Sequence, residues 1–408
     1  MSDTALTVPT TGSSWFTEKI LMGATPREYA RSLVTPFNLF AAVVLLAGAV
    51  AIIYRFIYGL GAVTNLSQVN AWGIWKGRNV IPGVAVGAGG YTLAAAVYIL
   101  GLKEYRPVVR IGVLAGFLGY SFAVVGLLID IGQPWRIPYP LVYSFGVTSV
   151  LFEVAWCMCL YLTVLILEFS PAVYEWLGWR GIRERTLHLS VGFVAFGVIL
   201  SSMHQPSLGA LFLMAPSKLH PLWYSQYLPT MFFVSSAVSG LTMVIAVSTL
   251  ARWGMRDAFS PSLLARLPHL SLGLGRGTAL LLFAYLFLKL QALIDGHHID
   301  LLATGWGAWY LLEVIGFVAA PCLLMAYGSH HARLGLVRVA AFWALAGIIL
   351  NRMNVSVIAL NWNVADRYYP STGEWLIAGA LLMVAIVAFR WVCYRMPVLF
   401  DHPEFEAH

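Results

Sequence analysis

Ten separate apolar runs, each close to the ~20 residues that a bilayer's hydrocarbon core demands, constrain this chain more than any other feature. They cover approximately residues 37–60, 81–102, 108–132, 145–170, 187–213, 229–254, 275–295, 306–327, 336–361 and 373–395. All are long and uninterrupted, where barrel strands would be short and alternating. The expected fold is therefore an all-α membrane protein of about ten transmembrane helices. Composition agrees, with 60% hydrophobic and 11% charged residues and a mean hydropathy of +0.78. Soluble domains average about 45–50% apolar and roughly 25% charged residues, so a water-soluble enzyme, a coiled coil and a disordered chain are excluded. A net charge of +7 would suggest nucleic acid in a soluble protein. Here basic cytoplasmic loops account for it, and the expected surroundings are lipid, with no nucleic acid.

Residues 1–36 are mixed and polar, with Lys19, Arg27 and Arg31 beside Asp3, Glu18 and Glu28, and no signal peptide is expected. The membrane domain spans 37–395, and 396–408 form a tail. Between the first two runs, Asn65 to Asn79 carries Trp72, Trp75 and Lys76 and reads as an interfacial or re-entrant piece. With the N-terminus inside, roughly two thirds of the 25 Lys and Arg residues fall on the cytoplasmic side, which places both termini there. A weak repeat is also visible. LLIDIG (Asp130) answers ALIDG (Asp295), FEV (Glu153) answers LEV (Glu313), and Met203-His204-Gln205 answers Met353-Asn354-Val355. Four helices per unit make the repeats parallel, so runs 2–5 (81–213) and 6–9 (229–361) are expected as two four-helix bundles flanked by helices 1 and 10.

Ionisable groups inside a bilayer are costly and mark function by default. Helix direction puts Glu153 about 12 Å and His204 about 13 Å below the outer surface. Arg352, Asn354, Glu313 and Lys289 also fall in the outer half, while the inner halves carry almost nothing charged. The expectation is one polar pocket opening outward, ringed by Asp130-Ile131-Gly132-Gln133-Pro134-Trp135-Arg136 and by His204-Gln205-Pro206-Ser207 through Lys218-Leu219-His220-Pro221-Leu222-Trp223. Donors, an imidazole and flat aromatic walls suit a quinone head group, and a quinol needs acceptors for two protons. Each residue has a plainer reading beside this one. Glu153 serves equally as a neutral structural carboxyl, and His204 as a partner for carbonyls freed at Pro206. Arg352 reads as an ion-pair partner of Glu313 or Glu153, and Lys289 as a side chain snorkelling to the interface. His297, His298, His330 and His331 read as solvated loop residues, and Trp72, Trp135, Trp223, Trp362 and Trp375 as an aromatic belt.

Redox centres are not encoded. Cys157, Cys159, Cys322 and Cys393 lie in apolar runs without a CxxC, so no iron–sulfur cluster or c-type haem is expected, and no metal site. A di-haem b cytochrome needs axial histidines on facing helices, and the spans offer only His188 and His204 on one helix.

Several motifs resemble one family. Ala71-Trp72-Gly73-Ile74-Trp75-Lys76, the glycines from Gly87 to Tyr91 and IDIGQPWR are similar to NrfD/PsrC-like membrane subunits. SVLFE (149–153), LILEFSPAVYE (165–175), MHQPSLGALF (203–212) and KLHPLW (218–223) resemble its HybB-type branch, which includes the membrane subunit of periplasmic nickel–iron hydrogenases. Arg78-Asn79 departs from the apolar residues the family has after the WGIWK segment. The resemblance covers about 37–395. It implies a haem-free quinone-reactive subunit in the bacterial inner membrane, exchanging electrons between quinone, menaquinone foremost, and a periplasmic ferredoxin-like iron–sulfur partner. A catalytic partner of hydrogenase, molybdopterin or multihaem type is implied with it. His204, Gln205, Ser207 and Glu153 carry over from the family's motifs, and Asp130 and Arg136 from its loop after helix 3. The reading assigns His204 as relay, Glu153 and Asp130 as proton acceptors, Glu313 and Asp295 to the proton path, and Arg352 as clamp. Arg136, Lys218, His220, Asn354 and Trp72 join His204, Gln205, Ser207 and Arg352 around the quinone. A transporter-like or ion-translocating module and an inert anchor remain the alternatives.

Overall fold

A computed structural model describes residues 15–75, 81–87, 89–402 and 404–405. Asp3, Lys76, Arg78 and Asn79 lie outside the described residues. Among those described, nine helices are long and apolar enough to cross a bilayer, and a tenth apolar helix is shorter. In chain order they are α1 (Pro36–Tyr58), the shorter α2 (Gly83–Ile99), α3 (Arg106–Asp130), α4 (Val150–Leu177) and α5 (Arg180–Leu213). There follow α6 (Leu228–Gly254), α7 (Pro261–Asp295), α8 (Gly305–His330), α9 (Leu334–Ile358) and α10 (Thr372–Arg395). The all-α membrane fold expected from the apolar runs is what forms. Only one isolated β-bridge occurs among the described residues, Leu219 with Leu360.

Several starts are written in local chemistry. Thr35, Ser260, Thr304 and Ser371 each accept a hydrogen bond from a first-turn amide, and proline occupies the first turn of α1 and α7. At α10, Ser371 and Glu374 close a reciprocal capping box. Two helices run past their apolar stretch: α5 begins at Arg180 and α7 at Pro261, so His269 is helical and exposed. His330 likewise ends α8 instead of lying in a loop.

Helices α2, α3, α4 and α5 pack in ring order, with α5 returning to α2, and α6 to α9 close a second ring in the same order. Between them stands α6, which packs against α5, α2 and α3 as well as α7 and α9. It is accordingly the most buried of the long spans. Outside the rings, α1 packs along α10, and α10 along α3. Arg395 at the end of α10 donates to the Ile20 carbonyl and the Tyr29 hydroxyl, both at 2.7 Å, so the two terminal segments share one end of the bundle. At the opposite end Asn361 N–H reaches the Lys218 carbonyl at 2.6 Å and His220 N–H the Ala359 carbonyl at 3.0 Å, which crosses the α5–α6 and α9–α10 loops. The described part of 65–79 joins them there. Trp75, 1% exposed, donates its indole N–H to the Glu374 carbonyl at 3.0 Å, and Tyr368 receives Ile74 N–H.

Candidate functional site

One polar centre lies in the first ring. Each ring nitrogen of His204, fully buried on α5, has a partner: Nδ1 faces the Leu200 carbonyl at 2.9 Å, and Nε2 meets the Tyr120 hydroxyl of α3. A carbonyl only accepts, so Nδ1 carries the hydrogen and Nε2 of the neutral ring accepts from Tyr120. Gln205 completes the group. Its amide nitrogen donates to Tyr120 Oη at 3.2 Å and to the Val84 carbonyl of α2 at 3.1 Å, while its own Oε1 has no donor among the described residues. Tyr161 of α4 lies edge-on to Tyr120 at 4.6 Å between ring centroids and 5.7 Å from His204. Tyr91 of α2 continues the row to Ser236 of α6 at 3.0 Å.

The glycines of α2 explain how these rings converge. A Cβ at Gly87 would overlap the Tyr120 ring, and one at Gly116 would come within 2.8 Å of the Gly87 carbonyl. Tyr120 thus reaches His204 only because two helices approach through glycine. The sequence motifs mark His204 and Gln205 but neither Tyr120 nor Tyr161. The signal for Tyr120 is a tyrosine directly after a glycine (Gly119) in a span, whereas Tyr161, between Leu160 and Leu162, carries no such mark.

A second centre occupies the other ring, and here several expectations are corrected. Lys289 of α7 does not snorkel to the interface. It is 4% exposed and pairs with Glu313 of α8 at 2.8 Å. Glu313 also accepts from Asn351 and Trp223, each at 2.7 Å, and from Asn354. Trp223 is therefore a buried donor, not a belt residue. Both Glu313 and Asn354 sit in π-helical turns, Leu312–Ala319 and Asn354–Ile358, whose extra residue per turn re-aims side chains inward. Arg352 makes no ion pair with Glu313 or Glu153 among the described residues. Its Nη2 donates to the Phe232 carbonyl at 3.0 Å and to Ser235 Oγ at 2.8 Å, with the guanidinium 3.5 Å above the Phe232 ring. One pocket was expected. Instead α6 divides the polar residues, Ser236 turned to the first centre and Ser235 to the second.

The remaining candidates are dispersed around these centres. Ser207 binds back to the Met203 carbonyl at 2.8 Å, a local helix contact. Trp72 packs edge-on against Phe212 of α5 at 5.4 Å. Asp130 is buried at the end of α3, where Arg55 of α1 donates to the Ile129 carbonyl at 2.6 Å and to that of Ile131, placing a cation beside the carboxylate. Glu153 lies half-buried in the first turn of α4. Arg136 and Lys218 are exposed, and Asp295, also exposed, accepts from Gln226 at 3.0 Å. His220 is enclosed by Trp223, Trp306 and Trp362; burial, with His298 adding repulsion, pushes its imidazole pKa down to about 4. The inner halves are not free of charge either. Glu168 of α4 is half-buried, its Oε2 without a partner among the described residues.

The chain is thus a polytopic integral membrane protein whose helices enclose two buried polar centres. A family model described as polysulphide reductase, NrfD, matches residues 62–361, and the chain belongs to this NrfD family, as its motifs indicated. It is similar to a protein of Nitratidesulfovibrio vulgaris, 46% identical over 381 residues, covering 93% of this chain and 98% of the relative. It is also similar to the probable Ni/Fe-hydrogenase 2 b-type cytochrome subunit of Escherichia coli, at 31% identity over 85% of this chain and 88% of the relative. A third relative is the menaquinone reductase integral membrane subunit of N. vulgaris, at 29% over 81% and 83%. The cytochrome name raises the question of haem. Both ring nitrogens of His204 are engaged by Tyr120 and Leu200, while His188 and His269 are exposed, so these residues do not fit axial ligation. Among the described residues no group of three or more His, Cys, Asp or Glu could hold a metal ion.

Proposed function

We propose that this chain is the quinone-reactive membrane subunit of a multisubunit respiratory oxidoreductase in the bacterial inner membrane. The observation that carries this reading is the buried Gln205–Tyr120–His204 relay. Oxidising a quinol releases two electrons and two protons, and reducing a quinone takes up the same. A head group beside this relay meets an open acceptor in Gln205 Oε1 and a hydroxyl–imidazole pair that passes a proton without free water. Phe212 of α5 and Trp72, packed on it from the segment between α1 and α2, supply aromatic wall. Asp130 and Glu153 lie ten and eight residues outward of Tyr120 and Tyr161 on their helices, about 15 and 12 Å nearer the loop end, and receive protons released that way. Lys218, His220 and Arg136 line that end, while Arg352 and Asn354 shape the second centre behind α6.

The electrons pass to a ferredoxin-like iron–sulfur partner on the periplasmic face, and from or to a catalytic subunit beyond it. Membership in the NrfD family and the names of the hydrogenase and menaquinone reductase relatives support this assignment, with menaquinone as the preferred quinone. The same proposal treats residues 81–213 and 229–361 as two repeated four-helix units, with both termini cytoplasmic. In the assembled complex, His204→Gln and Tyr120→Phe are expected to lower kcat for quinol turnover by about 10²-fold or more, the scale of general acid–base catalysis. Partner retention should stay intact. Wild-type turnover in an intact complex carrying either variant would remove the assignment.

A further inference from the structure

At the end of the bundle that holds both termini, a cavity of about 230 Å³ opens between the α2–α3 loop, the start of α7 and the chain after α10. Its lining is strongly cationic, with Lys103, Arg106, Arg110 and Arg266 set against one carboxylate, Asp401. These four differ in their commitments. Arg110 is spoken for: it donates to Glu175 at 2.7 and 2.8 Å and to the Pro397 carbonyl at 2.6 Å. Among the described residues the Arg266 side chain has one hydrogen bond, a long one of 3.4 Å to the Glu104 carbonyl. Lys103 and Arg106 are exposed and have no carboxylate partner among the described residues. Three cations therefore converge with Asp401 as the one carboxylate in the lining, and the repulsion left by this cationic excess is relieved by a bound anion.

The rest of the wall is built, not accidental. Ser260 N–H donates to the Leu399 carbonyl at 2.9 Å, and Leu399 is fully buried, which clamps the tail against the start of α7. Ser260 caps that helix, and the Ser262 hydroxyl lies 3.1 Å from its own, so hydroxyls and the positive end of a long helix face the same space. About half the lining is apolar, and the neighbouring Ile99, Leu100 and Leu102 project outward, Leu100 at 72% exposure.

We propose that this cavity is a phosphate-binding site filled by the headgroup of an anionic phospholipid. Basic pockets between helices at the cytoplasmic membrane face suit such headgroups, and the apolar flank offers a surface for the acyl chains. Free inorganic phosphate presents the same chemistry to the same cations.

The full-length protein in nanodiscs or detergent, titrated with cardiolipin or phosphatidylglycerol and followed by native mass spectrometry, tests this. Removing two cations with Arg106→Gln plus Arg266→Gln should weaken discrete lipid binding roughly 30-fold, at the usual contribution of each basic residue near a charged membrane surface. Ser262→Asp, which places a carboxylate in the cavity at an exposed position, should do the same and guards against a folding defect in the double variant. Arg27→Gln plus Arg31→Gln, an equal loss of charge from the exposed short helix Pro26–Ser32 at this end, should leave binding unchanged. If no lipid adduct forms but inorganic phosphate raises the wild-type melting temperature and not that of the cavity variants, the site takes free phosphate. Equal binding by wild type and cavity variants, or an equal loss in the Arg27/Arg31 control, overturns the site.

Discussion

Lys289 and Glu313 carry opposite charges where neither is stable alone. Each is at most 4% exposed, and removing a charge from water costs several kcal/mol unless a partner and further hydrogen bonds replace the lost solvation. Glu313 has that replacement in full from Lys289, Asn351, Asn354 and Trp223. Lys289→Met, close in length and apolar, should therefore destabilise the protein by about 3–5 kcal/mol, because it strands a buried carboxylate. Adding Glu313→Gln should restore most of the loss, since the amide keeps an acceptor for Trp223 and leaves no net charge behind. Thermal unfolding in one detergent checks both, and a single variant costing under about 1 kcal/mol would refute the buried pair. The sequence shows both residues and their common depth, yet not their pairing. They stand on different helices, so hydropathy gives each a height along its own axis and says nothing of the direction it faces. The same gap let one expected pocket stand for what α6 separates into two centres, and it hid Trp223 among the belt residues.

Helices were more legible than partnerships, since twenty apolar residues in a row have few alternatives in a bilayer. The expected ends fail where helix and membrane stop coinciding. RGIRERT at the start of α5 and PSLLARLPHLSLGL at the start of α7 are helical, but too polar or too interrupted by Pro268 to score as spans. Arg183, on the first of these, is ordered by Glu175 at 2.8 Å, an ion pair that no hydropathy profile contains. Glycine spacing is the other element-level signal. Gly87 of α2 admits the Tyr120 ring, so Gly87→Ala should force the α2–α3 contact apart or turn the ring from His204. Overpacking of this kind costs typically about 1–3 kcal/mol. The expected outcome is a lower melting temperature together with a quinol-turnover defect resembling that of Tyr120→Phe. A control, Gly181→Ala, meets nothing within 4 Å and should change neither. If Gly87→Ala matched that control, the glycine would have no part in placing the relay.

At the scale of the whole molecule the two ends of the bundle differ in kind. One end carries the terminal segments, tied together through Arg395, Ile20 and Tyr29, with the Arg110–Glu175–Arg183 cluster and the cationic cavity near them. The other carries crossed aromatic loops in which His220 is caged and Trp75 is buried against Glu374. An excess of Lys and Arg on one side governs insertion through short loops, and it belongs to the first end. That end should face the cytoplasm, which leaves the aromatic loops, and the relay beneath them, open to a periplasmic partner. A green fluorescent protein fused after His408 should consequently fluoresce in intact cells, because it folds on the cytoplasmic side of the membrane. Lys218→Cys, exposed in the opposite loop, should react with a membrane-impermeant maleimide added outside the inner membrane of spheroplasts, above the background of a chain lacking that substitution. Reversed results in both assays would invert the subunit and place the relay's open end away from any periplasmic electron carrier. The quinone reading would then need a cytoplasmic partner. A fluorescent C-terminus with no labelling of the Lys218→Cys variant would instead mean that a docked subunit covers the loop. Repeating the labelling on the chain expressed without its partners should then restore the reaction.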